Sequence, residues 1–529
     1  MVLLGDDLNN GSSTYEYIHT QQTEEAANVV NPSILTDRIF AIEYEYDEFQ
    51  NKPRARDDMF KAINEGRLVW YYIGHGSYDK LGAEDYLNGA TDMGRFTNHG
   101  KLPFFIASSC KVSHFDYWGF ESLGQKVVMM NDLGAIASYS ATRLSYPDNN
   151  HPMVKFLLKS LLNNRNPLGY SIMDAKFRYT GSNSNDAVYV LLGDPVLRVL
   201  PPERDSTLQV MGTDKKGILH SRDTASVTGN FSAPGLNGIT ELRAYDTRRS
   251  YSLGPATTVS HQGNRIFSGS ADVSASGFSA GFIVPDDIHN GNTGLVVSYI
   301  WDPSAQKDYT SYHYPLQLSD AAIAVENPDA PKIDIYLGSA DFRAGDTVGT
   351  NTTLLATLSD SNGINITGSS GHAILLVIDN SLQPVSVTDY FTYDKGSFTK
   401  GSLVYPLSGL SEGTHTIQLI AFDNFNQPSV ASTYFVAKKS SALSIDRLLI
   451  YPNPLSKDGF ITFMLSDNAE LNIGIYTMRG KKIRSIKSSG RQGFNKIWWD
   501  GKDEQGSALA NNSYFVKVKA TSSTGKAPS

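Results

Sequence analysis

VWYYIGHGS, residues 69–77, is the clearest indication of the fold. Its first five residues are apolar on both faces of an extended chain, a pattern typical of a strand inside a parallel sheet. The glycine, histidine and glycine that follow end the strand and begin a loop. PFFIASSC, residues 103–110, repeats this plan and ends at a cysteine. We therefore predict two buried strands, each followed by a residue suited to acid–base or nucleophilic chemistry, His75 and Cys110.

Alternation of apolar runs with helical periodicity extends this pattern over residues 1–202. Strands are predicted at residues 2–4, 38–43, 68–73, 103–107 and 134–138. Helices are predicted near residues 23–30, 57–65, 123–131, 154–163 and 171–179. Strands that are apolar on both faces and separated by helices form a parallel sheet with helices on both sides. The first domain is therefore predicted to be α/β, with a parallel sheet flanked by helices.

The pattern changes at Pro201-Pro202. Short alternating apolar runs, separated by Gly, Asn, Ser and Asp, then predict β-sandwich domains of the immunoglobulin-like kind. A proline-containing linker and a Lys-Ser stretch divide this part of the chain into three. The predicted sandwich domains comprise residues 203–325, 326–440 and 441–529.

Composition narrows the classes of function. The chain has 529 residues, room for several domains, and a formal net charge of −8 that offers no general attraction to nucleic acid. Its single cysteine, Cys110, excludes an intrachain disulfide and leaves the thiol available for chemistry. No apolar run approaches the ~20 residues that span a bilayer. Because the chain opens directly on an apolar run, we interpret it as a fragment of a longer precursor.

The carboxyl ends of parallel strands meet at one edge of a sheet, where α/β proteins bind ligands. His75 and Cys110 should meet there, so that the imidazole can activate the thiol, which is nucleophilic only as a thiolate. The N–H groups of Gly76 and Cys110 are candidates for an oxyanion hole. A lone cysteine is often a small buried apolar residue and a lone histidine is often structural. The equivalent placement of His75 and Cys110 after neighbouring strands favours the catalytic interpretation.

Other histidines lack that placement. His114, four positions after Cys110, is the alternative base. We interpret His19, His99 and His151 as structural or surface residues. The Asp, Asn and Gly clusters of the later domains are interpreted as turns, since none has the spacing of an EF-hand loop, and no metal or cofactor is predicted.

Residues 74–77 and 103–110, with the two candidates 35 positions apart, resemble the catalytic strands of the gingipain-related (C25) cysteine peptidases, whose fold is caspase-like. Residues 134–138 and the Gly-Asp-Pro at 193–195 also resemble that family. The resemblance implies that Asp6, or alternatively Asp7, orients the histidine, and that Tyr146 and Glu16 contact the substrate. The family has Asn-Gly after the nucleophile, whereas Lys111-Val112 follows Cys110, so specificity does not carry over.

The later domains resemble a narrower group. Residues 358–365, 371–379 and 412–424 are similar to the sandwich module of PorU-like sortases of the type IX secretion system, and residues 451–454 and 499–516 are similar to FlgD-type immunoglobulin-like domains. The resemblance implies an enzyme on the outer face of the bacterial outer membrane that removes the C-terminal signal domain of secreted cargo and attaches the cargo to anionic lipopolysaccharide. It implies a PorV-like outer-membrane barrel and attachment complex as partners. The alternatives are a non-catalytic adhesion or scaffold protein and a secreted gingipain-like protease.

Overall fold

The computed structural model describes the chain except for residues 8–16, 180–184, 205, 214–216, 233–234, 253–257, 275–276, 321–328, 440–444, 456, 467, 492, 511 and 523–529. Within the described residues, the N-terminal domain contains a central sheet of six strands in the order β2-β1-β3-β6-β7-β8. Its strands, and the small hairpin β4–β5, are β1 (Val2–Gly5), β2 (Asp37–Phe40), β3 (Val69–Ile73), β4 (Lys80–Leu81), β5 (Leu87–Asn88), β6 (Phe104–Ser108), β7 (Ala137–Ala141) and β8 (Tyr189–Leu192). The first five strands of the sheet in this order run parallel to one another.

Helices cover both faces of this sheet. They are α1 (Ile18–Asn28), α2 (Pro53–Glu65), α3 (Leu123–Met129), α4 (Pro147–Leu158), α5 (Leu168–Arg178) and α6 (Asn185–Val188), with shorter helical turns at Ala41–Glu43, Met93–Arg95 and Lys159–Asn163. Successive strand residues point to opposite faces, so Tyr71 packs with α1, α4 and α5 while Trp70 and Tyr72 pack with α2 and α3. Both faces of β3 are therefore buried, as its apolar run predicts.

The predicted α/β architecture is confirmed, with local differences. The strand predicted at residues 38–43 ends at Phe40 and continues as a helical turn, and helix α4 begins at Pro147, earlier than predicted. Helix α1 begins at Ile18, earlier than predicted. Strand β7 begins at Ala137 because Gly134 adopts a left-handed turn, with φ of 77°, before the strand. Strand β8 was not predicted, and it adds to the edge of the sheet antiparallel to β7. An antiparallel edge strand is common on otherwise parallel sheets.

The remainder of the described chain is formed by mainly antiparallel sheets, with a few short parallel strand pairs, as predicted for sandwiches. The first sandwich contains β9 (Glu203–Arg204), β10 (Ser206–Met211), β11 (Ile218–His220), β12 (Thr224–Phe231), β13 (Gly238–Tyr245), β14 (Arg249–Ser252), β15 (Thr258–His261), β16 (Arg265–Val273), β17 (Gly277–Ile283), β18 (Gly291–Asp302) and β19 (Lys307–Ser319). The second contains β20 (Lys332–Leu337), β21 (Thr347–Gly349), β22 (Thr352–Ser359), β23 (Leu375–Ile378), β24 (Val385–Ser386), a helical turn at Thr388–Tyr390, β25 (Phe391–Tyr393), β26 (Lys400–Leu407), β27 (Gly413–Phe422) and β28 (Pro428–Lys438). The third contains β29 (Ile445–Tyr451), β30 (Gly459–Leu465), β31 (Ala469–Thr477), β32 (Lys482–Gly490), β33 (Gly493–Trp499) and β34 (Tyr514–Ser522).

The first two sandwiches share one continuous apolar core, whereas the third has its own. The first sandwich also contacts the α/β domain through polar side chains. Arg248 donates to Glu24 on α1 at 2.7 Å, and the Thr310 hydroxyl donates to the carbonyl of Ser33 at 2.8 Å. Within the described residues, no helix combines the length and the apolar character needed to cross a membrane.

Candidate active site

The parallel register of β3 and β6 brings His75 and Cys110 to the same edge of the sheet. Ile73 pairs with Ser108 at the last step of the ladder, and each candidate lies two residues beyond its paired strand residue. The Gly74 N–H donates to the Ser108 carbonyl at 3.4 Å, which continues the contact past the ends of the strands. His75 is exposed and Cys110 is half-buried. The two side chains therefore leave neighbouring strands at equivalent positions, within reach of solvent.

The glycines on either side of His75 are required by close approach. A Cβ atom at Gly74 would overlap the side chain of Asp6, and one at Gly76 would overlap the side chain of Ser109. The first contact places the Asp6 carboxylate against the His75 loop, and the second packs the same loop against the residue before Cys110. Any larger residue would separate the two loops.

Cys110 contacts the loop that follows β7. The Ser145 N–H donates to Sγ, and Sγ lies 3.4 Å from both the N and the carbonyl oxygen of that residue. Lys111 adopts a left-handed conformation with φ of 59°, which is uncommon for a residue with a Cβ atom. Its N–H donates to the Arg143 carbonyl at 3.0 Å, so the strained turn after Cys110 is anchored to the same loop.

Asp6 contacts the main chain of His75. The His75 N–H donates to Asp6 Oδ2 at 2.7 Å, and the Asp7 N–H donates to Asp6 Oδ1 at 3.0 Å. The Tyr72 hydroxyl lies 2.6 Å from the His75 carbonyl oxygen and 3.1 Å from Asp6 Oδ2. The Gly82 N–H also donates to that carbonyl, at 2.9 Å. Both main-chain groups of His75 are therefore fixed by buried partners.

His19 is a neighbour of His75 that sequence reasoning missed. Its ring meets the His75 ring edge to face, with centroids 5.9 Å apart. Burial, together with the charge of His75, lowers the pKa of His19 to about 4. The His19 ring is therefore neutral near neutral pH and forms one wall beside the His75 imidazole. Helix α1 packs against the sheet and so brings the two rings together. No local sequence motif predicts this contact.

A buried charge cluster lies behind Asp6. Asp7 accepts from Lys52 Nζ at 2.5 Å and from the hydroxyls of Tyr46 and Tyr86 at 3.0 Å each. Oxygen atoms of Asp6, Asp7 and Glu84 lie within 4.8 Å of one another, close enough for the three carboxylates to surround a cation. The oxygens of both aspartates are already occupied by donors, and the Lys52 ammonium already supplies a positive charge. This donor set therefore suits an internal ion pair better than a metal site.

The Gly76 N–H lies at the start of the hairpin that follows His75. The hairpin that follows His75 is closed by bonds from Ser77 N–H to the Lys80 carbonyl and from Gly82 N–H to the His75 carbonyl. Gly76 faces Leu81 between these two bonds, and neither bond uses its N–H. These two bonds leave the Gly76 N–H unused, and the role of Gly76 and Cys110 as oxyanion donors stays a prediction.

The remaining predicted residues have varied surroundings. Tyr146 is exposed and directly follows Ser145, whose main chain contacts Cys110. Glu16 lies outside the described residues. His114, the alternative base, lies 3.6 Å from Asp116, and its ring contacts Tyr117. Two other histidines pair with acidic residues away from Cys110, with His151 bonded to Glu25 at 2.9 Å and His99 to Asp132 at 3.1 Å.

Comparison with known families agrees with this domain order. Residues 1–200 match the family model of peptidase family C25, and residues 455–524 match that of the FlgD Ig-like domain. No curated protein sequence matches the chain. Residues 1–200 are therefore similar to peptidase family C25, and the last sandwich is similar to the FlgD Ig-like domain.

Three solved structures show more distant similarity. The dimeric latent PorU from Porphyromonas gingivalis is 22% identical over 74% of this chain and 40% of the PorU chain, with a TM-score of 0.31. The tetra-tandem repeat in the extending region of a large adhesion protein is 13% identical over 60% of this chain and 74% of its own, with a TM-score of 0.13. Red sea bream transglutaminase is 11% identical over 45% of this chain and 32% of its own, with a TM-score of 0.15. The chain thus spans less than half of the PorU chain.

Proposed function

We propose that the peptidase family C25 domain of this chain, residues 1–200, is a cysteine endopeptidase in which Cys110 is the nucleophile and His75 the general base. The observation that supports this most directly is their equivalent position two residues beyond the paired ends of β3 and β6. The chain's other histidines described above pair with acidic residues or pack in the interior. The strained residue after Cys110 is a further feature that functional sites tend to retain.

In the proposed mechanism, the Cys110 sulfur attacks the scissile carbonyl while the His75 imidazole takes the thiol proton. The N–H groups of Gly76 and Cys110 stabilise the oxyanion. His75 then returns the proton to the departing amine, which leaves a thioester on Cys110. Water attacks the thioester in hydrolysis, whereas an amine attacks it in transpeptidation. Asp6 and Tyr72 hold the main chain of His75 throughout, and Tyr146 contributes to the wall of the substrate site.

We further propose that the enzyme is a sortase of the type IX secretion system. It would cleave the C-terminal signal domain from secreted cargo and pass the cargo to an amine on lipopolysaccharide, with a PorV-like barrel as its partner at the cell surface. The order of a C25 domain, sandwiches and a FlgD-like domain supports this proposal, as do the sandwich motifs at residues 358–365 and 412–424. A non-catalytic adhesion or scaffold protein is the candidate from another class.

The test is incubation of the full chain with a secreted cargo protein that carries its C-terminal signal domain. We expect cleavage before that domain, and mass spectrometry of the new termini should find either a free carboxylate or an adduct of an added amine. The Cys110→Ala chain is the control. Cargo that stays intact, together with a Cys110 that resists a thiol-directed probe, would favour the scaffold function.

Asp6→Asn is expected to reduce peptide hydrolysis by about tenfold, less than loss of the nucleophile or base. The asparagine oxygen can still accept the His75 N–H, but the negative charge near the imidazole is lost. The measurement is kcat/KM on a fluorogenic peptide, with Asp7→Asn as the matched variant. A larger loss in Asp7→Asn than in Asp6→Asn would assign the orienting role to the second aspartate.

A further inference from the structure

Glu84 is a buried carboxyl group without a hydrogen-bond partner. It lies in the loop between β4 and β5, and the residue is only 1% exposed. Within the described part of the chain, neither of its carboxylate oxygens has a partner. One of its oxygens nevertheless lies within 4.8 Å of oxygens of Asp6 and Asp7. An ionised carboxylate in such a place would be very unfavourable, because it would be shielded from water and would accept no hydrogen bond from another described residue.

The distribution of donors decides which member of the cluster binds a proton. Asp6 accepts the main-chain N–H groups of His75 and Asp7, and Asp7 accepts the ammonium of Lys52 and two tyrosine hydroxyls. Hydrogen bonds donated to a carboxylate favour its charged form. Within the described residues Glu84 has only its own main-chain N–H as a weak donor, whereas each aspartate accepts bonds from other residues, so Glu84 is the member that should be neutral. A neutral carboxyl group has an O–H that needs an acceptor, and the carboxylate oxygens nearby supply one.

We propose that Glu84 is a positioning residue, whose protonated carboxyl group donates to Asp6 and so fixes the carboxylate that holds the main-chain N–H of His75. The hairpin that carries Glu84 also carries Gly82, which donates to the His75 carbonyl. The proton that Glu84 shares with Asp6 thus connects the hairpin, the end of β1 and the His75 loop. We call it the shared proton. The shared proton itself is independent of the proposed function, whereas its role in catalysis rests on His75 being the base.

The proposal predicts a definite direction of pH dependence. Burial raises the pKa of Glu84, and the charges of Asp6 and Asp7 raise it further. Burial also raises the pKa of Asp6, opposed by the hydrogen bond from His75. A carboxyl group with a raised pKa contributes stability that is complete below its ordinary value, 4.5 for Glu84, and is lost as pH rises through the raised value.

Several other titratable groups surround the carboxyl pair formed by Glu84 and Asp6. They are Lys52 and Tyr46 beside Asp7, Tyr72 and Tyr86 between the carboxylates, and the rings of His75 and His19. Burial and the nearby carboxylates raise the pKa values of Tyr46, Tyr72 and Tyr86 well above the ordinary range. Burial lowers the pKa of His19 to about 4. The tyrosines therefore stay neutral at any pH at which the carboxyl pair titrates.

The first experiment compares thermal unfolding of the full chain and of Glu84→Gln as the pH is raised from 4.5. Glutamine has nearly the same shape, cannot ionise and can still donate to Asp6. We expect the melting temperature of the wild type to fall relative to that of Glu84→Gln by about 3 °C or more as the proton is lost. Parallel profiles for the two chains would overturn the proposal. So would stabilisation of the wild type, but not of Glu84→Gln, by calcium chloride, since the cluster would then be a cation site.

The second experiment tests positioning through the rate at which iodoacetamide alkylates Cys110. The alkylation rate of each variant is divided by that of the wild type at the same pH, so that the titration of the thiol itself cancels. We expect Glu84→Ala to lower the rate about tenfold and Glu84→Gln to restore it below the pH at which the wild type loses its proton. Equal rates in all three folded chains would overturn the positioning role. A wild-type Cys110 that does not react at all would instead contradict the proposed function, while the melting profiles would still test the shared proton.

Discussion

Replacement of Cys110 by alanine should abolish both peptide hydrolysis and labelling by a thiol-directed probe, because the chain has no other sulfur nucleophile of this kind. His75→Ala should lower kcat/KM by about 100-fold or more, the usual contribution of a general base. Neither change should unfold the domain, since His75 is exposed and Cys110 is only half-buried at the edge of the sheet. The measurements are single-turnover hydrolysis of a peptide and mass spectrometry of the labelled protein.

The matched control is His114→Ala, which removes the alternative base only four positions from Cys110. Its ring pairs with Asp116 and Tyr117, so we expect kcat/KM within about threefold of the wild type if it is not catalytic. Circular dichroism of each variant establishes that it is folded. If His114→Ala is inactive while His75→Ala retains wild-type hydrolysis, the assignment of the base is wrong.

The parallel strands of the sheet could be predicted from the sequence because the pattern that identifies each strand is local. Apolar runs on both faces identify β3 and β6, and the parallel register then places His75 and Cys110, each two residues past the last paired residues, at the same edge of the sheet. Strand β8 was missed because its run is short and it joins the edge antiparallel. Local sequence patterns therefore identify the buried central strands more readily than a short strand at the edge of the sheet.

The surroundings of His75 could not be predicted in the same way. Lys52 directly precedes α2, Glu84 lies in a short hairpin and His19 lies in α1, and each is an ordinary polar residue in its own segment. Only the packed fold shows that they converge behind Asp6. Resemblance to the C25 family implied that Asp6 orients the histidine. In the structure the Asp6 carboxylate accepts the main-chain N–H of His75, and this contact does not by itself establish a role in orienting the ring. That role stays a prediction.

Lys52→Met should destabilise the α/β domain by about 3–5 kcal/mol, the usual result of removing one member of a buried ion pair. Lys52 and Asp7 are 1% and 6% exposed, and the ammonium also donates to the Ala41 carbonyl at 2.7 Å. Methionine fills most of the volume of the lysine stem, so the expected loss comes from the unpaired charge of Asp7 rather than from a cavity. The measurement is the free energy of unfolding in urea.

Lys395→Met is the control for charge removal at the surface. Lys395 pairs with Asp272 at 2.8 Å, with side-chain exposures of 52% and 67%, so solvent screens the pair and the expected change is below about 1 kcal/mol. Loss of Lys52 should also reduce alkylation of Cys110, because the uncompensated Asp7 is adjacent to the carboxylate that holds His75. Equal stabilities for the two variants would mean that water or another cation replaces the ammonium, and that the cluster does not depend on Lys52 to support the site.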